Sequence, residues 1–368
     1  MDANAATTTA ATGSPQRIDV TTVSDREAAL HVTLPDGTVD VHRFDDLAPG
    51  RSTTVRIDVD GTTHQVDIAT LPTLPGELLC RFATVNDVHF GELSAGQIDD
   101  LPEGPIRRSE PGSDPYPEVM NRAAVAEMLA IDPAAVIVKG DLSVDGTDDE
   151  WAAFEACYRE PLGDRLHVVR GNHDAYRHQH AYAGDQRIDL PGLTVALLDT
   201  AIPGATTGAF RPEQSEWLDD VAHNASNPIM VMGHHQQWIP TSSESAAARS
   251  PDYFGLHPDG SDLLDELCVR HHNVLAYSAG HTHRHRRRGM RRSGALSIEV
   301  GCTKDFPGTW AEHRVYESGV LHVVHRISEP AALRWSESCR GLYADFGVDY
   351  ETYALGALDD RCFVIALR

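Results

Sequence analysis

Phe82-Ala-Thr-Val85 runs into Asn86-Asp87-Val88-His89, and Ala135-Val-Ile-Val138 into Lys139-Gly140-Asp141. The same arrangement recurs three more times. Val168-Val169 leads to Gly171-Asn172-His173-Asp174, Ile229-Met-Val-Met232 to Gly233-His234-His235, and Val274-Leu-Ala-Tyr277 to Gly280-His281-Thr282-His283. Each apolar run has the character of a buried strand, and each is followed by Asp, Asn or His. In open α/β sheets, sites form at the carboxyl ends of strands. Residues far apart in the chain can therefore meet on one rim. The donors offered are carboxylate and amide oxygens and imidazole nitrogens, which suit divalent Mn, Fe, Co or Zn. Glycines beside most of them permit tight turns and close backbone approach. The pattern predicts an α/β fold carrying a two-metal centre for hydrolysis at phosphorus.

Composition narrows the alternatives. The 368 residues can bury a large core, one big domain plus a smaller one. A net charge of −24 argues against a protein that coats nucleic acid or binds an anionic membrane. A small phosphorylated substrate stays open, because bound cations reverse the local potential. Only Lys139 and Lys304 are lysines; every other basic residue is Arg. The six cysteines show no Cys-x-x-Cys spacing, so buried free thiols and a reducing cytoplasm are expected. The N-terminus has neither a basic nor an apolar signal-peptide region, and no run reaches transmembrane length.

Three segments are expected. Residues 1–16, rich in Ala and Thr, read as disordered. Residues 17–75 alternate in five short strand-like runs separated by Pro35-Asp36-Gly37, Ala48-Pro49-Gly50 and Asp60-Gly61, a small all-β unit. It resembles the fibronectin-type sandwich that precedes some phosphoesterase domains, although Thr53 stands where that domain's corner tyrosine would be. Residues 76–368 switch to strand, loop, helix, strand. Helices are predicted at Glu118–Ile131, Asp149–Tyr158 and Pro212–Val221. Thr241–Asp262 reads as a polar insertion, a candidate lid or substrate loop.

Asp-x-His and Gly-Asp occur by chance in many chains; Gly-Asn-His-Asp and Gly-His-Thr-His are much rarer. In this order the set resembles the calcineurin-like metallophosphoesterases over roughly residues 80–327. The resemblance implies a four-layer αββα sandwich of two mixed sheets between helices. It also implies roles: Asp87, His89 and His283 on one divalent metal, Asn172, His234 and His281 on the other, and Asp141 bridging them. His173 would act in catalysis, with Asp174 orienting it. A carboxylate can span ions about 3.5–4 Å apart, and such a pair acidifies bound water and clamps the oxygens of an in-line displacement.

One departure is informative. Three residues after the bridging Asp, where purple acid phosphatases carry a tyrosine ligand, stands Val144. The pattern is closer to the bacterial cyclic-nucleotide phosphodiesterases. Expected, then, is a cytoplasmic phosphodiesterase for cyclic nucleotides or similar small diesters, with a phosphomonoesterase on the same site as the alternative. A non-catalytic scaffold of the same fold would be expected to lose ligands or His173. Oligomeric state is open, a dimer included. Candidate substrate contacts are His235 and Arg284, the latter opening a basic hairpin, Arg284–Arg292, at the mouth of the site.

Overall fold

Asp60 and Gly61 both take positive φ, the geometry of a two-residue type I′ turn, and they close the hairpin of the N-terminal unit. In the computed structural model, which describes residues 16–98, 101–239, 249 and 253–368, this unit has five strands: β1 (Arg17–Val23), β2 (Ala28–Thr33), β3 (Val39–Phe44), β4 (Ser52–Val59) and β5 (Thr62–Ala69). They pair as β1-β2-β3 and β4-β5. Five strands are fewer than the roughly seven of an immunoglobulin-type sandwich. The expected disordered segment lies outside the described residues, apart from Gln16.

The rest of the chain builds two six-stranded mixed sheets. Its elements are β6 (Leu78–Val85), α1 (Tyr116–Ala130), β7 (Val136–Lys139), α2 (Asp148–Phe154), α3 (Glu160–Leu162), β8 (Leu166–Val169), β9 (Gln186–Leu190), β10 (Leu193–Leu197), α4 (Pro212–Asn224), β11 (Ile229–Met232), α5 (Pro258–Arg270), β12 (Val274–Ala279), β13 (Arg286–Gly289), β14 (Leu296–Glu299), β15 (Thr309–Tyr316), β16 (Gly319–Arg326), α6 (Pro330–Ser338), α7 (Tyr350–Leu355), α8 (Leu358–Arg361) and β17 (Cys362–Ala366). One sheet runs β13-β14-β12-β11-β10-β9, the other β17-β16-β15-β6-β7-β8.

Alternation assigns the two faces of each sheet. Phe82, Ile137, Val195, Met230 and Ile298 turn inward, and one apolar layer joins the sheets. Val136 and Val138 turn outward onto α1 through Met120 and Ala124. Val231 and Val274 turn outward onto α4 and α5 through Leu218 and Leu264. The layers are therefore helix, sheet, sheet, helix. At β16 and β17 the short helix α8 contributes only Leu358 to the covering layer. There Leu321, Val323 and Cys362 pack against Val23, Leu30 and Ile57, so the N-terminal strands share a core with the larger unit.

The site follows from the register. β6, β7 and β8 are parallel, with Val85 level with Val138 and Val138 level with Val168. β10, β11 and β12 are parallel in the facing sheet, with Met232 level with Ser278. All five motifs leave the carboxyl ends of these strands. Part of the Thr241–Asp262 stretch lies outside the described residues. From Pro258 it is not loop but the first turn of α5, with proline at the helix start where its missing N–H costs nothing.

Candidate dinuclear metal centre

Five motif residues adopt left-handed backbone geometry: Asp87, His89, Asp141, His281 and His283, with φ between 47° and 67°. Such strain in non-glycine residues persists only where the surroundings over-determine it. The surroundings here are two loops running side by side. The Val88 and His89 amides both donate to the Asp141 carbonyl, at 2.9 and 3.0 Å.

The seven donors converge. Asp87, His89 and His283 bring ligand-type atoms within 4.8 Å of one another, as do Asp87, Asp141 and His234. The Asp141 Oδ2 atom lies 3.5 Å from His89 Nε2 and 3.1 Å from His234 Nε2. Asn172 Oδ1 is 3.1 Å from His234 Nε2. His281 joins through His234, the two belonging with His235 to a third such group. All are buried except His283, which is partly open.

The residues fit divalent ions on three observations. First, His89 Nε2 and His281 Nε2 are buried and have no hydrogen-bond partner, an arrangement native structures avoid unless something else satisfies the atom. Second, the ligands are oriented from behind. His234 Nδ1 meets the Lys139 carbonyl at 2.8 Å, which aims Nε2 at the centre. The Asn172 amide nitrogen donates to Tyr176 Oη at 2.7 Å, leaving its oxygen inward. Third, the glycines leave no spare room: a Cβ on Gly280 would stand 2.7 Å from Asp87 Oδ2, and one on Gly140 2.7 Å from the His234 ring.

Electrostatics follow burial and the carboxylates. Burial, reinforced by His234, pushes His281 down to about 3, so it presents a lone pair. Burial acts the same way on His234, but Asp141 outweighs it and raises that imidazole to about 9. A cation arriving between Asp141 and His234 therefore displaces a proton.

His173 is placed differently from the buried ligands. It is half-buried and lines the cavity. Its Nδ1 meets the Val144 carbonyl at 2.8 Å. A carbonyl only accepts, so Nδ1 carries the proton and Nε2 is left for the cavity. The structure gives the orienting task to Val144, not to Asp174. Asp174 is fully buried and accepts from the amides of Gly171, Leu142 and Ser143 and from the Ser143 hydroxyl, at 2.6–3.1 Å. It pins the Asn172 loop to the Asp141 loop.

The two suggested substrate contacts stand apart from the cavity. His235 is fully buried, with Nδ1 at 2.8 Å from Thr200 Oγ1 and Nε2 without a partner beside His234 and His281. Arg284 is tied to buried Glu299 at 2.7 Å and lines an adjoining pocket with Arg286 and Arg288.

Sequence reading missed the support beneath the centre. Both lysines of the chain are fully buried there. Lys139 Nζ donates to Ser278 Oγ and the Ala279 carbonyl, each 3.1 Å, joining the two sheets. Lys304 Nζ sits 2.7 Å from Glu92 and 2.9 Å from Asp305. Glu92 in turn faces His89 Nδ1 at 3.7 Å, and Asp305 groups with His283 and Cys302. The signal was there to use: in a chain that otherwise chooses Arg, a retained Lys marks a place where a compact ammonium fits and a guanidinium does not.

The calcineurin-like phosphoesterase family model matches residues 80–285, more than half of the chain. The chain belongs to the calcineurin-like phosphoesterase family. Membership places it among metal-dependent phosphoric ester hydrolases. A probable cyclic nucleotide phosphodiesterase of Synechococcus is 27% identical over 221 residues, covering 57% of this chain and 79% of that protein. The 3′,5′-cyclic adenosine monophosphate phosphodiesterase CpdA of Pseudomonas aeruginosa is 28% identical over 181 residues. That match covers 47% of this calcineurin-like phosphoesterase and 63% of CpdA, under two thirds of the relative's length. A dimetal phosphatase from Danio rerio superposes with a TM-score of 0.49 at 17% identity, over 68% of this chain and 98% of that one. No helix among the described residues is long and apolar enough to cross a membrane.

Proposed function

We propose that this calcineurin-like phosphoesterase is a phosphodiesterase using two divalent ions, of Mn, Fe, Zn or Co. Asp87, His89 and His283 would hold one ion and Asn172, His234 and His281 the other. Asp141, set between His89 and His234, would be shared by both. When bound, such a pair polarises phosphoryl oxygens and makes a water acidic enough to attack near neutral pH. His173, its Nδ1 proton fixed by Val144, exchanges a proton through Nε2 with an oxygen of the ester. Asp141 Oδ1 accepts from the His173 amide at 3.0 Å, which ties the backbone of this histidine to the carboxylate.

One observation favours a diester over a monoester. Among the described residues, no Arg or Lys lines the cavity that holds these side chains. A monoester brings a second negative charge for which the cavity lining offers no Arg or Lys. A diester brings one, which the ions can balance. Relatives named as cyclic nucleotide phosphodiesterases support the same class of substrate. The test is a panel of bis-aryl phosphate, aryl monophosphate and cyclic nucleotides, each with a chelator and with added Mn²⁺. Metal-dependent turnover with kcat/KM higher for a diester is expected. A monoester that outperforms every diester moves the substrate to the alternative. Full activity in a metal-free sample removes the two-ion reading.

A further inference from the structure

The cavity above the centre is about 600 Å³, the size of a small-molecule site. Its walls are aromatic. Four of the chain's ten tyrosines, Tyr176, Tyr343, Tyr350 and Tyr353, line it together with Phe254. Three of these tyrosines come from the segment around α7, beyond the residues matched by the family model. The rings are fixed in place. Tyr350 Oη donates to Asp305 Oδ1 and Tyr353 Oη to the Thr282 carbonyl, both at 3.0 Å. Tyr350 and Tyr353 lie within 22° of parallel. Opposite in sequence but on the same cavity, Phe254 stacks on His281 with centroids 4.0 Å apart. Large apolar side chains are normally hidden, yet here Phe254 is 47% exposed and Tyr353 37%, with Ile98 and Val348 beside them at 39% and 38%. Exposed apolar surface gathered on a rim marks a place where a ligand docks.

We propose that these rings form a stacking subsite for a planar aromatic group carried by the phosphodiester, such as a nucleobase. The inference rests on the phosphodiesterase reading and adds which diesters the site prefers. The hydroxyls of Tyr176, Tyr350 and Tyr353 are hydrogen-bonded, Tyr350 lies buried behind Tyr353, and among the described lining residues only Ile98 and Val348 are aliphatic. A flat ring finds partners on such a surface; a flexible acyl chain would need a longer aliphatic channel. Aromatic faces stack any base without reading its edge, so breadth among bases is expected. The group bound there is not the one at phosphorus, so the two ends of the substrate are recognised by independent parts of the protein.

The test uses the 368-residue chain loaded with Mn²⁺. Tyr353→Leu and Phe254→Leu are compared with Tyr353→Phe, which keeps the ring. Cyclic AMP and glycerophosphoethanolamine serve as aromatic and aliphatic diesters, and adenosine, which has no phosphate, is titrated calorimetrically. Loss of one stacking partner is expected to lower kcat/KM for cyclic AMP about tenfold and to weaken adenosine similarly. Glycerophosphoethanolamine should lose clearly less than cyclic AMP in both leucine variants, and Tyr353→Phe, which keeps the ring but gives up the bond to Thr282, should hold adenosine more tightly than Tyr353→Leu. Equal losses on both diesters in both leucine variants would overturn the inference, since they would report a general disturbance of the cavity. So would unchanged cyclic AMP turnover with unchanged adenosine binding, or preference for an octyl over an adenosyl ester. If the parent cleaves neither diester, the phosphodiesterase reading fails, and adenosine binding with its loss in the leucine variants decides the subsite alone.

Discussion

Gly171→Ala adds one methyl group and isolates a single steric claim. The Gly171 φ lies outside the left-handed region, so alanine is tolerated by the backbone itself. The new Cβ, however, would stand 2.1 Å from Asp141 Oδ1 and 2.4 Å from the Asp141 backbone nitrogen. Ordinary contact begins near 3.4 Å, so the loops must separate by roughly 1 Å. Rotating the carboxylate away cannot solve this, because the second obstructing atom is main chain. Separation pulls Asp141 Oδ1 from the His173 amide and moves the shared carboxylate relative to Asn172. Overpacking of this kind costs about 1–3 kcal/mol in stability. A displacement of about 1 Å at a reacting centre costs on the order of 10²-fold in rate. The expected signature is therefore a modest drop in urea stability beside a kcat/KM down about a hundredfold and reduced metal stoichiometry by elemental analysis. Gly289→Ala is the matched control, because nothing lies within 4 Å of its added Cβ. The reasoning is refuted if Gly171→Ala keeps full metal content and a kcat/KM within about threefold of the parent.

His173→Ala should retain both ions and lose about 10²–10⁴ in kcat. The loss should shrink for nitrophenolate leaving groups, and an equal loss for alkoxides would assign His173 to charge stabilisation rather than proton transfer. Lys304→Met leaves buried Asp305 and half-buried Glu92 without their cation and should cost about 3–5 kcal/mol in urea unfolding. Adding Glu92→Gln should recover part of that, and no recovery would mean that the charge pair is not what stabilises this corner. Glu312 gives a pH test away from the centre. Burial raises its carboxyl, but His325 and Arg314 outweigh burial and hold it well below the usual range. A folded value below the unfolded one, about 4.3, stabilises above that pH and is lost as the pH falls further. Melting temperature should therefore drop steeply below about pH 4.3 in the parent and less steeply in Glu312→Gln; parallel curves would contradict the assignment.

How much of this was legible in the sequence depends on how local each cause is. A ligand at the end of a strand leaves a local trace: an apolar run, a glycine, then Asp, Asn or His. The seven expected donors were read from such traces, Asp87 and His89 without the glycine, and the structure brings the seven side chains together. Features set by partners far along the chain left no such trace. β17 reads as an ordinary apolar stretch, and only the edge of β16 makes it a strand. Arg284 was expected to face an incoming anion because it follows the last motif. Its fate is decided by the pairing of β13 with β14, which brings Glu299 opposite Arg286 and within 2.7 Å of Arg284. Asp174 was assigned by adjacency to His173. Yet the short helical turn that begins at His173 sends the next side chain backward, toward the amides of the Asp141 loop.

The buried lysines show a third case, in which the trace existed and was compositional rather than positional. Placing Arg at 304 would bring a planar fork into a space where Nζ meets two carboxylates at 2.7 and 2.9 Å. Arg carries five donors in a fixed geometry, and those left unmatched in a fully buried pocket each add a desolvation cost. Lys, with three donors on a flexible stem, can meet two carboxylates with less left over. The same donor count holds at Lys139, where two neutral acceptors from the opposite sheet meet one amine that burial pulls down to about 7. A chain that spends Arg on its exposed cations therefore reveals, by its two exceptions, where its interior needs a compact amine: directly behind the loops that carry Asp141 and His283.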